Sequence, residues 1–222
     1  MPRSPGDHAI AGIKAAISLV PFAGGSVASL ISDYVPTSTQ RRIDESLVIL
    51  NDRLQLLETR IDPGMVNEEE FSEIFKSSYM TLIRTYKEEK INAAISLIVN
   101  ALLVPGDPDK LPFSELDHFS RAVDSLSLGA LHVLAHAYRI ACRDRTPDLS
   151  TGSRSITFEQ LHREMQDTEP SFLMALVGEL NSWNLLHLLG TPSVRTPAYG
   201  NYPIELPPVG VRFVEKIMGM RT

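Results

Sequence analysis

The chain has 222 residues, of which 43% are hydrophobic and 22% charged, and its formal net charge is −6. These values exclude intrinsic disorder and allow one large domain or two small ones, with enough chain to bury a core unaided. An acidic chain is not drawn non-specifically to phosphate backbones or anionic lipid. The single cysteine, Cys142, excludes an internal disulfide and suits a reducing compartment.

The chain opens on Met-Pro-Arg-Ser-Pro-Gly-Asp, which does not read as a secretory signal. Residues 15–32 then carry no charge, and Pro21-Phe22-Ala23-Gly24-Gly25 interrupts the run. Proline blocks a helix interior and paired glycines favour a turn. The segment therefore predicts two short apolar helices, residues 8–20 and 26–34, folded as a hairpin within residues 1–36. Eighteen uncharged residues reach the lower limit of a membrane span, but the break opposes one straight crossing. Ile17, Leu19, Phe22, Gly24, Gly25 and Leu30 are the candidate contact residues. They are open to burial in a core, to an oligomer interface or to insertion into a membrane.

Ile43, Leu47, Leu50, Leu54, Leu57 and Ile61 follow at alternating steps of four and three, a heptad seam. Charged residues fill the other faces, and Asp62-Pro63-Gly64 predicts the helix end. Val48, Ile49 and Leu56 widen the stripe, which favours packing inside a bundle over a two-stranded coiled coil. Asn67 before Glu68-Glu69-Glu70 reads as an N-cap with acids at the positive end of the helix dipole. Two amphipathic helices follow, the second stopped by Pro105-Gly106-Asp107-Pro108. Ser114 with Asp117 resembles a capping box, and Ser127 is placed to cap a helix whose apolar face carries Leu131, Leu134, Ala135, Tyr138 and Cys142. A bundle over residues 37–145 results, and the polar stretch 143–155 reads as a linker.

A smaller domain over residues 156–222 is expected next. Thr157 caps a short helix, and Glu169-Pro170-Ser171 opens another with Phe172, Leu176, Leu180 and Trp183 on one face. Residues 185–189 and Ile204-Glu205-Leu206 read as two strands flanking a wing, and a last helix carries Val211, Phe213, Val214 and Ile217. The fold class is mainly α: a helical bundle with an N-terminal apolar helical hairpin, followed by a small α+β module.

The text of residues 172–180, Trp183-Asn184-Leu185-Leu186 and residues 204–213 resembles a winged-helix domain. Residues 21–25, 41–61 and 91–103 resemble bacterial helical proteins of the abortive-infection alpha type. That second resemblance implies an accessory or effector protein in phage defence; the apolar hairpin and the heptad helix would let it assemble with itself or a partner, with membrane disturbance as an output. The winged-helix resemblance implies a helix at residues 170–183 in the position that reads DNA. That stretch has no Lys or Arg, and only Asn181 on the helix and Arg195 on the wing could contact nucleic acid. Binding to protein is the expected use, with DNA regulation as the alternative.

Catalytic chemistry finds little support. His132 and His136 share a helical face, but no glutamate adjoins the first as a zinc hydrolase needs. Glu68, Glu69, Glu70 and Glu73 read as a solvated first turn. Gly24-Gly25 lacks the strand and the Lys-Ser/Thr of a phosphate loop. The expectation is a non-enzymatic cytoplasmic protein without cofactor, metal or small-molecule substrate, able to associate with membrane on activation.

Overall fold

The structure is a computed structural model that describes residues 37–143, 154–190 and 200–220. It forms two compact units, the first running to Asp124 and the second beginning at Ser125. The apolar hairpin with Ile17, Leu19, Phe22, Gly24, Gly25 and Leu30 lies outside the described residues, as does Arg195.

The first unit contains α1 (Thr37–Leu56), α2 (Glu68–Arg84), α3 (Glu88–Leu102) and α4 (Phe113–Ser125), with single 3-10 turns at Glu58–Arg60 and Pro63–Met65. Asn67 caps α2 as its type predicts: its side-chain oxygen accepts from the N–H groups of Glu69 at 3.1 Å and Glu70 at 3.3 Å. Helix α3 is the centre of the unit. Ala93, Ala94, Ile95, Leu97, Ile98, Val99 and Leu102 are all buried, so apolar residues surround most of its axis. Helices α2 and α1 both pack against it.

The heptad seam of α1 supplies its share of this core. Leu50 is buried with Phe71, Leu82, Ile95 and Ile98, and Leu47, Leu54, Leu57 and Ile61 pack against the same cluster partly buried. Ile43 is also buried. The seam is thus used within one chain. Val48, Ile49 and Leu56 do not widen it, contrary to expectation: they are 60%, 39% and 84% exposed. They share the outward side of α1 with Glu45 and Asp52, also exposed.

The helix also ends earlier than its apolar period suggests, at Leu56 rather than near Ile61. A long-range ion pair competes with it. Arg60 clamps Asp107 through Nε at 2.7 Å and Nη2 at 2.5 Å, and Nη2 reaches Asp109 at 2.7 Å. Its carbonyl accepts from Val104 N–H at 3.0 Å, and Ile61 makes an antiparallel bridge with Leu103. Asn100, buried, donates to Asp109 O and accepts from Leu111 N–H. Lys110 Nζ donates to the carbonyls of Ala101 and Leu103, two acceptors left open at the end of α3. The Pro-Gly-Asp-Pro stop is therefore also the anchor of the chain that follows α1.

The second unit runs α5 (Leu128–Arg143), β1 (Arg154–Thr157), α6 (Phe158–Glu164), α7 (Pro170–Ser182), β2 (His187–Leu188), β3 (Pro203–Leu206) and α8 (Pro208–Arg212), which passes into a π-helical turn, Phe213–Ile217. The sheet is antiparallel in the order β1-β3-β2, with Ile156 opposite Ile204 and Leu188 also opposite Ile204. In β3, Ile204 and Leu206 are buried and Pro203 and Glu205 are half-buried, the period of two that a one-sided sheet requires. The core adds Leu131, Leu134 and Tyr138 of α5 to Leu173, Val177 and Leu180 of α7. Gly210 sits where a Cβ would lie 2.2 Å from the carbonyl oxygen of Leu185, so α8 can approach that backbone only without a side chain.

Two boundaries differ from the sequence reading. Helix α5 packs on β1, α6 and α7 and belongs to the second unit, not to the bundle over residues 37–145. Strand β1 occupies the end of the stretch read as a linker. Its pattern is four residues long with one buried side chain, Ile156, too short for a period to register.

The carboxyl of Asp107 is held below the ordinary carboxylate range, chiefly by the side-chain hydrogen bonds from Arg60. Its contribution is present above the unfolded-state value and is lost as pH falls through the depressed folded value. Asp107 is 5% and Arg60 33% exposed. Arg60→Ala is expected to cost about 2 kcal/mol at neutral pH in urea denaturation, with the difference from wild type narrowing below roughly pH 4. A difference that stays constant into acid would contradict the clamp.

Candidate functional site

Helix α7 begins where Glu169 turns its carboxylate onto its own helix. Glu169 accepts from the N–H groups of Ser171 at 3.1 Å and Phe172 at 3.0 Å, and Pro170 follows at a position that needs no N–H. The hydrogen bond from the Ser171 hydroxyl, and then these two backbone bonds, hold the Glu169 carboxyl below its ordinary range. The other polar side chains of α7 also find partners inside the unit. Glu179 accepts from the N–H of Ser127 and from its hydroxyl at 2.8 Å, while the Ser127 hydroxyl caps α5 by accepting from Ala130 N–H at 3.1 Å. Ser182 donates to Glu179 O at 2.6 Å. Asn181, the candidate reader of a base, is half-buried, and its side-chain oxygen accepts from Leu188 N–H at 3.0 Å, which fixes β2.

What α7 turns outward is therefore uncharged. Leu173, Leu176, Val177 and Leu180 form its buried face. Phe172, placed by the sequence reading on that face, is instead 58% exposed, beside the exposed Ala175. The sequence reading missed this because Phe172 steps by four to Leu176 and Leu180, yet the buried arc is centred one residue later, on Leu173 and Val177.

A second constellation lies on α5 and α6. His132, His136, Arg139 and Arg143 step by four, three and four along α5, and none of them is buried. Arg143 Nη1 donates to Glu164 at 2.6 Å, and Arg163 Nη2 to Glu159 at 3.1 Å. Ile140, Arg143, Gln160, Arg163 and Glu164 line a cavity of about 170 Å³. The capping box of Thr157 and Gln160 positions α6: Gln160 N–H donates to the Thr157 hydroxyl at 3.2 Å, and Thr157 N–H to the Gln160 side-chain oxygen at 2.8 Å. His136 is held below the ordinary histidine range, first by burial and then by Arg139. The carboxyl of Glu164 is held low, first by the hydrogen bond from Arg143. The α5 stripe was legible as a spacing, but its meeting with α6 needs the tertiary fold.

No cluster of three or more His, Cys, Asp or Glu side chains suited to a metal occurs among the described residues. The acidic start of α2 is exposed, as its reading as a solvated first turn requires. Cys142 is half-buried with the Arg154 guanidinium on its sulfur. No helix among the described residues is long and apolar enough to cross a membrane.

No protein-family model matches the chain, and neither the curated proteins nor the solved structures give a match.

If Asn181 is a brace for β2, removing it leaves the partly buried Leu188 N–H without an acceptor. Asn181→Ala is expected to lower stability by about 1 kcal/mol, read as a fall in melting temperature. An unchanged melting temperature would return Asn181 to the pool of free surface donors.

Proposed function

We propose that this protein works by contact with protein and not by chemistry, and that its second unit is a winged-helix-like module whose α7 face is the contact. The order α5-β1-α6-α7-β2-β3 with a sheet arranged β1-β3-β2 supports the winged-helix reading. The observation that carries the contact reading is the outward face of α7, with Phe172 58% exposed and no Lys or Arg between Pro170 and Ser182. A helix that enters a DNA groove draws most of its affinity from cations on phosphate and its selectivity from Arg, Lys, Asn or Gln. Helix α7 offers none of the first, and its one candidate for the second is engaged with Leu188. An exposed Phe instead fits the enrichment of aromatic side chains at the centre of protein interfaces.

The occupant we propose is a second copy of the chain or a protein partner. The outward apolar residues of α1, Val48, Ile49 and Leu56, offer the first unit a contact of its own. An assembling accessory or effector protein fits the role that the abortive-infection resemblance implies, with residues 15–32 as its membrane-directed segment. The winged-helix topology also favours one other reading, a DNA-binding regulator, because that arrangement commonly presents a helix to the major groove.

Sedimentation velocity of the whole chain separates the two. Wild-type protein is expected to gain mass as concentration rises from low to high micromolar. Phe172→Glu is expected to weaken association about thirtyfold with its melting temperature unchanged, since the side chain is already exposed. A single species of 24.6 kDa at every concentration, together with a shift of duplex DNA in a gel, would favour the regulator instead.

A further inference from the structure

We infer that the cavity between α5 and α6 is a phosphate site, taking an anion of two or more charges and the size of pyrophosphate. The inference stands on residues that the α7 contact does not use. Two guanidiniums, Arg143 and Arg163, line the cavity together with Gln160. Arg139 and His136 lie within electrostatic reach of Glu164 at the same place. A local gathering of three arginines is notable in a chain whose net charge is −6.

Each guanidinium at the cavity is engaged only loosely. Arg143 and Glu164 are 63% and 33% exposed, Arg163 and Glu159 69% and 56%. Exposed pairs of this kind contribute little and exchange readily for a stronger acceptor. Guanidinium is the group that matches phosphate with parallel hydrogen bonds. A free monocarboxylate would not displace Glu164, which is tethered beside Arg143 and so competes at high effective concentration. An anion of higher charge, bridging both arginines, can. The cavity of about 170 Å³ equals roughly five or six water volumes, room for two phosphate groups over the apolar floor of Ile140.

The sign of one substitution makes the inference specific. Glu164 opposes the anion, so Glu164→Gln should tighten binding, a gain that no folding defect can imitate. The experiment is calorimetric titration of the full chain with sodium pyrophosphate at low salt. Saturable binding in the millimolar range or tighter is expected for the wild type. The pair Arg143→Gln and Arg163→Gln should weaken it about tenfold or more, and Glu164→Gln should strengthen it several-fold. Competition by a duplex oligonucleotide identifies the source of the phosphate: displacement of pyrophosphate assigns a nucleic-acid backbone, and no displacement a free or small-molecule phosphate. Either result keeps the site. No saturable heat, binding untouched by the double substitution, or weakening by Glu164→Gln would each overturn it. The association of α7 is read with different residues, so loss of pyrophosphate binding leaves it untouched; only displacement by duplex DNA bears on the choice between protein contact and DNA regulation.

Discussion

The hydrogen bonds made by the polar side chains of α7 constrain the contact proposed for that helix. Ser171, Glu179, Asn181 and Ser182 are all committed within the unit, to a cap, to the start of α5, to β2 and to the helix itself. Asn181 and Glu179 are half-buried, and a group of that kind left without a partner costs more than a made bond returns, so these two commitments are not easily traded for an external ligand. They also do structural work at a distance in sequence. Glu179 fixes where α5 begins, and Asn181 fixes where β2 lies, so the same side chains that organise the unit strip its outward helix of polar reach.

The first unit is organised by an analogous choice. Helix α3 is apolar around most of its axis, apart from the line of Asn92, Ser96 and Asn100, and is covered by both α1 and α2. The seam of α1 does this as far as Leu56. Beyond it, the Arg60 clamp on Asp107 and Asp109 and the Asn100 bonds to the same loop hold the chain in a different path. The residual apolar surface of α1 is therefore a consequence of geometry: a helix that turns Ile43, Leu47, Leu50 and Leu54 to the core cannot also bury Val48, Ile49 and Leu56.

Much of this architecture could be read without coordinates, and the failures have a common cause. Most local signals held: the Asn67 cap, the Thr157 cap, the Ser127 cap and the stop after Leu102 depend on residues within a few positions of each other, whereas Ser114 opens no helix because α4 already begins at Phe113. The small antiparallel sheet near the C-terminal end was legible in Ile204-Glu205-Leu206 but not in Arg154–Thr157, where one inward side chain gives no period. Long-range partners were invisible. Nothing in the text around Arg60 announces Asp107, so the heptad period carried the expected helix too far. The face of Phe172 was misjudged by one residue of rotation, and the arginines of α5 and α6 became a site only when the fold brought them to one cavity. Apolar periodicity places a residue on a helix; it does not say which neighbour the helix will meet.

The claim that α7 presents its outward face to protein can be tested at the residue itself. Cys142 is the only cysteine, so Phe172→Cys in a Cys142→Ser background gives one site for a nitroxide label. The account predicts that the label becomes immobilised and protected from collision as protein concentration rises, and that duplex DNA leaves it unaffected. A label that stays mobile at every protein concentration but is protected by DNA would contradict it.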